Sequence, residues 1–273
     1  MSVIFKEEGH KYENLDPTET TKWTSVTSII SKFKEKFDAP AQAKKSSKNK
    51  RSKWYGIPPE TILEIWENKA NNSMSTGTWY HNQREQDVIS LESIERNGVT
   101  LPIIKPIIEG GVKKAPIQRL TEGVYPEHFV YLKSAGWCGQ LDRLEVLANV
   151  VDIIDYKTNE EIKTQGFTNW EGITKKMLHP LSNLDDCNYN HYALQLSIYM
   201  YIVLKHNPIY KPGKLILHHI IFEKDGKDEF DTPILKKDAN GDPIVQEVVP
   251  YEMPYLKSEV IAIINYLKEN PEV

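Results

Sequence analysis

The segment Gly139–Lys157, GQLDRLEVLANVVDIIDYK, constrains the fold more than any other part of this chain. It contains two runs, 139–147 and 150–157, whose apolar and β-branched residues are typical of strands. Ala148–Asn149 between the runs indicates a hairpin turn. A hairpin places the two strands side by side and antiparallel, so the fold has to be built around a sheet.

Helices are expected on both sides of this hairpin, because apolar residues recur at helical spacing behind capping residues. The first helix begins at Thr24 or Ser25 and ends before Pro40, and the second opens at Pro58–Pro59. An N-terminal hairpin is expected to turn at Glu8–Gly9. The other predicted elements are helices over 75–93, 191–204 and 255–267, strands over 128–133 and 214–222, turns with brief strands over 97–116, and an exposed loop or hairpin over 225–248.

These elements predict an α/β (α+β) fold, with a central mixed β-sheet flanked by helices. Residues 1–98 are expected to form a mainly helical N-terminal portion, and residues 99–273 the core that holds the sheet. No linker composition separates the two parts, so one integrated domain is expected.

Composition excludes several classes of protein. No stretch approaches the roughly 20 apolar residues of a membrane span, and the N-terminus lacks the pattern of a signal peptide. The two cysteines, Cys138 and Cys187, are too few for a disulfide framework or a four-cysteine iron–sulfur cluster, and they fit a reducing cytoplasm. The net charge of −4 argues against a protein that coats nucleic acid.

Positive charge is nevertheless concentrated in one segment, Lys44–Lys53, which contains no acid. Two interpretations stay open: a solvated, mobile loop, or an arm that contacts DNA phosphates. The candidate DNA-binding residues are Lys44, Lys45, Lys48, Lys50, Arg51 and Lys53.

Asp155 and Lys157 end the second strand of the hairpin. Residues i and i+2 of a strand face the same side, so both side chains project together at the end of an apolar element. A D-x-K pattern has little specificity, since Asp225-Gly226-Lys227 repeats it in an expected turn, and a surface ion pair is the alternative. The hairpin also brings Asp142 close to Asp155, and two such carboxylates form a hard oxygen site for Mg²⁺ or Mn²⁺. The alternative for Asp142 is an ion pair with Arg143 or Lys157.

Two pairs of residues on predicted helices are further candidates for the site. His81 and Glu85 are i and i+4 on the predicted helix over 75–93, although a lone histidine is more often packed than a ligand. Gln195 and Tyr199 are i and i+4 in an apolar helix, where a glutamine needs a hydrogen-bond partner. Gln195 therefore either bonds the backbone or points into a cleft.

Taken in order, these motifs resemble the PD-(D/E)XK nuclease superfamily, and specifically its RecB-like exonuclease branch. The segments around Ser25–Ile30 and Gly56–His81 are similar to phage exonucleases and the mitochondrial genome maintenance exonuclease. The cysteines of the iron–sulfur relatives and any helicase motif are missing from the sequence. The motifs are Gly77…His81…Glu85, Gly139-Gln140-Leu141-Asp142-Arg143, Ile153-Ile154-Asp155-Tyr156-Lys157-Thr158 and Gln195…Tyr199.

The resemblance implies a restriction-endonuclease-like core and a set of residue roles. His81, Asp142 and Asp155, with the Tyr156 carbonyl, would ligate Mg²⁺ or Mn²⁺, and no iron–sulfur cluster is expected. Lys157 would stabilise the pentacovalent phosphate or orient the attacking water. Gln195 and Tyr199 would brace the site. Glu85 and Glu122 are further candidates for metal or water contacts.

The expected function is therefore a metal-dependent deoxyribonuclease, an exonuclease of phage or bacterial DNA processing, recombination or repair. Its expected partners are DNA and a recombination or replication protein, in the cytoplasm of a bacterial or phage-infected cell. Two alternatives stay open: a catalytically silent DNA-binding or scaffolding relative, and a structure-specific endonuclease of the same fold.

Overall fold

The computed structural model describes residues 3–6, 11–14, 16–109, 112–114 and 118–272. The predicted turn at Glu8–Gly9 lies outside the described residues, but the strands on either side of it pair as an antiparallel hairpin. Within the described residues, the α-helices are α1 Val26–Ser31, α2 Ala39–Lys48, α3 Pro59–Ile89, α4 Asn188–His206 and α5 Lys257–Glu269.

The start of α1 is confirmed, but its predicted end is wrong. The Ser25 side chain caps the helix by accepting a hydrogen bond from the Ser28 N–H. The helix then ends at Ser31, well before Pro40. Pro40 lies in the first turn of α2 instead, where its missing N–H costs nothing, and the Asp38 side chain caps that helix by accepting from the Ala41 N–H.

The helix predicted to open at Pro58–Pro59 and the helix predicted over 75–93 are one continuous helix, α3, of 31 residues. Asn71, Asn72 and Ser73, which lie between the two predicted helices, are weak helix formers. Tertiary packing overrides that preference, because α3 crosses the end of the central sheet and its Tyr80 is buried against Tyr156 and Phe222.

The central sheet is mixed and flanked by helices, as predicted. Its strands follow the order β14-β11-β10-β9-β3, and β8 also pairs with β9. The strands are β1 Val3–Lys6, β2 Lys11–Asn14, β3 Thr24–Ser25, β4 Ser93–Arg96, β5 Val99–Pro102, β6 Ile108–Glu109, β7 Val112–Lys114, β8 Gly123–Leu132, β9 Trp137–Leu147, β10 Val150–Lys157, β11 Lys211–Phe222, β12 Lys224–Lys227, β13 Pro233–Leu235 and β14 Val245–Met253.

The β9–β10 hairpin is confirmed. Ala148 and Asn149 both have positive φ angles, 50° and 62°, which give a tight turn the twist of the flanking strands. From β10 the chain crosses through α4 to β11, which is parallel to β10. The last predicted loop is partly wrong: β12 and β13 form an exposed hairpin, but residues from Val245 onward form the edge strand β14 on β11.

The pairing of β9 leaves an opening beside the hairpin. β8 pairs with β9 along its length, from Trp137 to Val146. On the other edge of β9, β10 pairs with residues 143–147, and β3 pairs with Trp137 and Cys138. Residues 139–142 of β9 therefore face a gap between β10 and β3, and this gap is the cleft described below.

Residues on both sides of the predicted boundary at 98 build one core. Val26 and Ile29 of α1 are buried in the same cluster as Leu144 of β9 and Leu194 of α4. β3 also hydrogen-bonds to β9 in the central sheet. The N-terminal portion therefore shares the core of the sheet and does not pack as a separate body.

Candidate metal centre

Three acidic residues lie at one level across the neighbouring strands β8, β9 and β10. Arg143 of β9 pairs with Ile154 on one side and with Pro126 on the other. One step along the strands, Asp142 therefore lies beside Asp155 of β10 and Glu127 of β8. Antiparallel pairing brings side chains at such positions to within about 5 Å of one another.

Asp142 is the centre of this row. Its Oδ2 accepts a hydrogen bond of 2.8 Å from the Tyr156 backbone N–H, just beyond the point where the β9–β10 pairing ends. Its Oδ1 lies 3.1 Å from Nδ1 of His81, which α3 holds over the sheet end. Although burial alone would raise the pKa of Asp142, the His81 and Lys157 charges lower it, so Asp142 is an anion.

A metal ion could be held by His81, Glu127 and Asp142, which each offer one ligand atom within 4.8 Å of the others. Burial would lower the pKa of His81, but the Asp142 carboxylate more than offsets it and raises that pKa to about 9, so a metal ion would have to displace the ring proton to bind His81. Gln140, the next outward residue on β9, donates a hydrogen bond to the Glu127 carboxylate. Two carboxylates and one imidazole are a donor set that divalent cations bind in proteins.

Asp155 and Lys157 form a buried ion pair at the end of β10. Asp155 is 2% exposed, and its Oδ2 lies 2.5 Å from the Lys157 Nζ. Burial and the neighbouring Asp142 charge raise the pKa of Asp155, against the effect of Lys157. Burial would lower the pKa of Lys157, but Asp155 and Asp142 raise it above its usual value, so the ammonium is charged.

The structural alternative for Asp142 is not observed. Arg143 pairs with the buried Glu145, with Nη2 2.5 Å from Oε1, and Lys157 pairs with Asp155. The Asp142 carboxylate therefore contacts His81 and the Tyr156 N–H, and it borders the cleft.

The Lys157 ammonium also lies over an aromatic ring that the sequence did not single out. Nζ is 5.1 Å from the centre of the Tyr192 ring of α4. The Tyr192 hydroxyl donates to Oδ1 of Asn159 at 2.5 Å, which fixes the ring against the segment after β10. A cation held over a ring face is stabilised electrostatically, so Tyr192 positions the lysine.

Gln195 and Tyr199 lie behind the cleft. The Gln195 side chain donates to the Tyr199 hydroxyl at 3.4 Å, so the glutamine's partner is a side chain rather than the backbone. The Tyr199 ring lies against Gly139 so closely that a Cβ there would be 2.5 Å from its Cε1. A glycine at 139 is required by this contact, and the pair forms the back wall of the cleft.

The two further acidic candidates do not belong to the group of potential ligands found within the described residues. Glu122 is exposed at the other end of the hairpin, where its Oε1 accepts from the Ala148 N–H at 2.7 Å, and its contact with a metal or water stays a prediction. Glu85 lies one turn beyond His81 on α3. Within the described residues, the group of potential ligands contains neither Glu85 nor Asp155, and ligation by Asp155 and the Tyr156 carbonyl stays a prediction.

Sequence inspection missed Glu127, five residues beyond Glu122. It follows Pro126 on β8 and has a positive φ of 46°, which interrupts the regular alternation of the strand. A Pro-Glu step beside a strand gives no ligand signal in one sequence. Only the register with Asp142 identifies the carboxylate.

The first half of the basic segment is helical, and only its second half is a loop. Lys44, Lys45 and Lys48 lie on α2, and Lys50, Arg51 and Lys53 lie in the turns that connect α2 to α3. Lys53 donates from Nζ to the Phe230 carbonyl at 2.6 Å. The predicted phosphate contact of these residues stays a prediction.

No protein-family model and no curated protein matches this chain. The functional proposal therefore rests on the arrangement of the side chains and on the sequence motifs. Within the part of the chain that the structure describes, none of the helices is both long and apolar enough to cross a membrane.

Proposed function

We propose that this protein is a metal-dependent deoxyribonuclease, which hydrolyses phosphodiester bonds in the cleft beside the β9–β10 hairpin. The observation that supports this most is the row of Glu127, Asp142 and Asp155 across three strands, with His81 above it and the charged Lys157 at its end. Burying so many charged groups together costs free energy, and a bound metal ion and a substrate phosphate would offset that cost.

His81, Glu127 and Asp142 would hold the metal ion, with Asp155 as a further oxygen ligand. Two or three carboxylate oxygens favour Mg²⁺, with Mn²⁺ as the alternative that tolerates the imidazole. A bound cation supplies positive charge at the phosphate and increases the acidity of water.

Lys157 supplies the second positive charge. Because Asp155 and Asp142 raise its pKa, the ammonium is present as a donor for a phosphate oxygen whose charge increases during attack. Asp155 and the Tyr192 ring hold Nζ from two sides, which limits its freedom before substrate binds. Gln195 and Tyr199 keep the back of the cleft closed behind Gly139.

DNA as the substrate is supported by the exposed basic residues of α2 and the following turn, since phosphate contacts dominate nucleic-acid affinity. The exonuclease mode, the role in phage or bacterial recombination or repair, a recombination or replication partner and a cytoplasmic site of action rest on the resemblance to RecB-like nucleases. A silent DNA-binding relative is disfavoured, because binding alone does not require a buried lysine beside two carboxylates.

The test is cleavage of end-labelled linear DNA and of circular DNA, with Mg²⁺, with Mn²⁺ and with EDTA. We expect metal-dependent loss of linear DNA, and Asp155→Asn should abolish it. Asp225→Asn is the matched control, because Asp225-Gly226-Lys227 repeats the D-x-K pattern on the exposed strand β12. Cleavage of circular DNA would identify an endonuclease, and undiminished activity in Asp155→Asn would overturn the assignment.

A further inference from the structure

A cluster of aromatic side chains lies where α2 turns into α3, remote from the core. Trp54 stacks on Phe230 at 5.8 Å and meets Trp66 edge-on at 6.0 Å, and Phe37 lies 6.0 Å from Trp66. Phe37 is 71% exposed and Tyr55, beside Trp54, is 52% exposed. We call these five residues the aromatic surface. Exposed aromatic side chains that lie together form a candidate binding surface.

The aromatic surface is bordered by positive charge on its α2 side, whereas the acids Asp228, Glu229 and Asp231 flank Phe230 on the other side. The chain from Ala39 to Pro59 contains no acid. Within the described residues, the exposed side chains of Lys44, Lys45 and Lys48 form no ion pair. The Lys53 ammonium lies 4.9 Å from the centre of the Trp54 ring. Aromatic faces with unpaired lysines fit a ligand that has both flat rings and negative charge.

One face of α3 connects the aromatic surface to the candidate metal centre. Trp66, Lys69, Ser73 and Tyr80 follow one another at helical spacing on that face. Glu60, Glu64 and Glu67 lie on the opposite face, so the acids of α3 do not oppose an anionic ligand there. From Trp66 to His81 the helix advances about 22 Å at 1.5 Å per residue.

A cavity of about 160 Å³ lies between the two ends of this path. Lys69, Ser73 and Thr76 of α3 line one side of it, and Thr158 and Asn159, the residues just after Lys157, line another. Phe222 adds an apolar wall. Glu160 also lines the cavity, and its carboxylate pairs with the Lys69 ammonium at 3.3 Å. Hydroxyl and amide groups facing an aromatic wall suit the sugar and base of a nucleotide.

We propose that the aromatic surface is a stacking site for unpaired bases, which holds single-stranded DNA while the strand follows α3 and the cavity to the metal centre. Double-stranded DNA hides its base faces in the helix, so only an unpaired strand could use the exposed rings of Phe37 and Tyr55. This inference rests on the proposed nuclease function, and it names the form of DNA that the site takes.

The experiment measures equilibrium binding of the full-length protein to a fluorescent oligothymidylate and to a duplex of equal length, in EDTA so that no cleavage occurs. Phe37→Ala/Tyr55→Ala removes two exposed rings with little effect on folding, which thermal melting checks. We expect its affinity for the single strand to fall roughly tenfold or more, since stacking contributes strongly per base, and its duplex affinity to stay unchanged.

Tyr201→Ala on α4 is the matched control. Its ring also lies beneath a lysine, with the Lys205 Nζ 5.2 Å from the ring centre, but on a different helix. We expect this variant to bind oligothymidylate like the wild type. A second readout is quenching of Trp54 and Trp66 fluorescence by the single strand.

Three results would overturn the inference: wild-type affinity in Phe37→Ala/Tyr55→Ala, an equal loss for duplex, or self-association of the protein that only this variant abolishes. Its failure is distinguishable from failure of the nuclease proposal. Metal-dependent cleavage that requires Asp155, with no contribution of the rings to binding, would leave the function and remove the stacking site. Ring-dependent binding without any cleavage would keep the stacking site and remove the nuclease function.

Discussion

The Asp142 carboxylate takes the place of a backbone carbonyl, because its Oδ2 accepts from the Tyr156 N–H at 2.8 Å where the β9–β10 pairing stops. The strands diverge there, and the side chain satisfies the donor that the divergence leaves. Its other oxygen stays directed toward His81. Asp142 thus bonds the end of β9 to β10 and also borders the cleft. The position of the metal centre therefore depends on the fold of the hairpin.

Glu127→Gln should weaken Mn²⁺ binding by about tenfold or more, because removing even a residue that only hydrogen-bonds to a metal ligand lowers the metal affinity by that much. Calorimetric titration measures it. Glu122→Gln, just before the same strand and bonded to the Ala148 N–H, should bind Mn²⁺ like the wild type. Equal affinities in the two variants would exclude Glu127 as a ligand.

Gly139→Ala should destabilise the protein by about 1–3 kcal/mol, since a Cβ would be 2.5 Å from the Tyr199 ring and the core has no room to yield. Urea unfolding gives the value. In Gly139→Ala/Tyr199→Leu the two costs should not add, because the smaller side chain accommodates the Cβ. Strict additivity would show that the contact is not what requires glycine.

Tyr192→Leu should lower kcat by roughly tenfold, the equivalent of one cation–π contact of about 1–2 kcal/mol with Lys157. Tyr192→Phe keeps the ring and loses only the hydrogen bond to Asn159, so it should retain most of the activity. KM should change little in both. If the phenylalanine variant were as impaired as the leucine variant, the hydroxyl rather than the ring would matter.

His128 should make the stability fall as the medium becomes acidic. Burial lowers its pKa from 6.5 to about 4, so the folded protein keeps it neutral while the unfolded chain takes up a proton below pH 6.5. The stability is complete above pH 6.5 and is lost as the pH falls toward 4, by about 2 kcal/mol at pH 5. Between pH 7 and pH 5, the free energy of unfolding of His128→Gln should fall by about 2 kcal/mol less than that of the wild type. Urea titrations in the presence of EDTA measure both. Parallel curves for the two proteins would contradict it.

Lys44→Gln/Lys45→Gln/Lys48→Gln should flatten the salt dependence of single-strand binding. Each phosphate contact contributes about 0.7 to the slope of log affinity against log salt, so three contacts change it by about 2. Fluorescence titrations from low to moderate salt measure the slope. An unchanged slope would leave α2 as a solvated helix without a role in DNA binding.

Much of the site could be predicted because its residues lie on elements with strong local signals. The hairpin that carries Asp142 and Asp155 has strand patterning and a turn with two positive φ angles, both encoded within a few residues. His81 lies on a helix that opens at a proline pair, and the Gln195–Tyr199 pair lies on a helix that is apolar over most of its length. These signals fix local structure without reference to distant residues.

The errors have a common origin in long-range contacts. α3 continues through residues of low helix propensity because its burial against the sheet compensates them. The edge strand β14 is largely exposed, so its sequence lacks the alternation of a half-buried strand, and pairing with β11 defines it. Pro40 is equally compatible with a helix end and a helix start.

By itself the sequence determined the hairpin, the D-x-K pair and the helices of His81 and Gln195, since turns, caps and apolar periodicity act over a few residues. Only the tertiary structure decided which carboxylates meet. It selected Glu127 over Glu122, paired Lys157 with Asp155 and left Asp142 to His81. Strand register and the path of α3 set those distances, and both depend on packing between residues far apart in the chain.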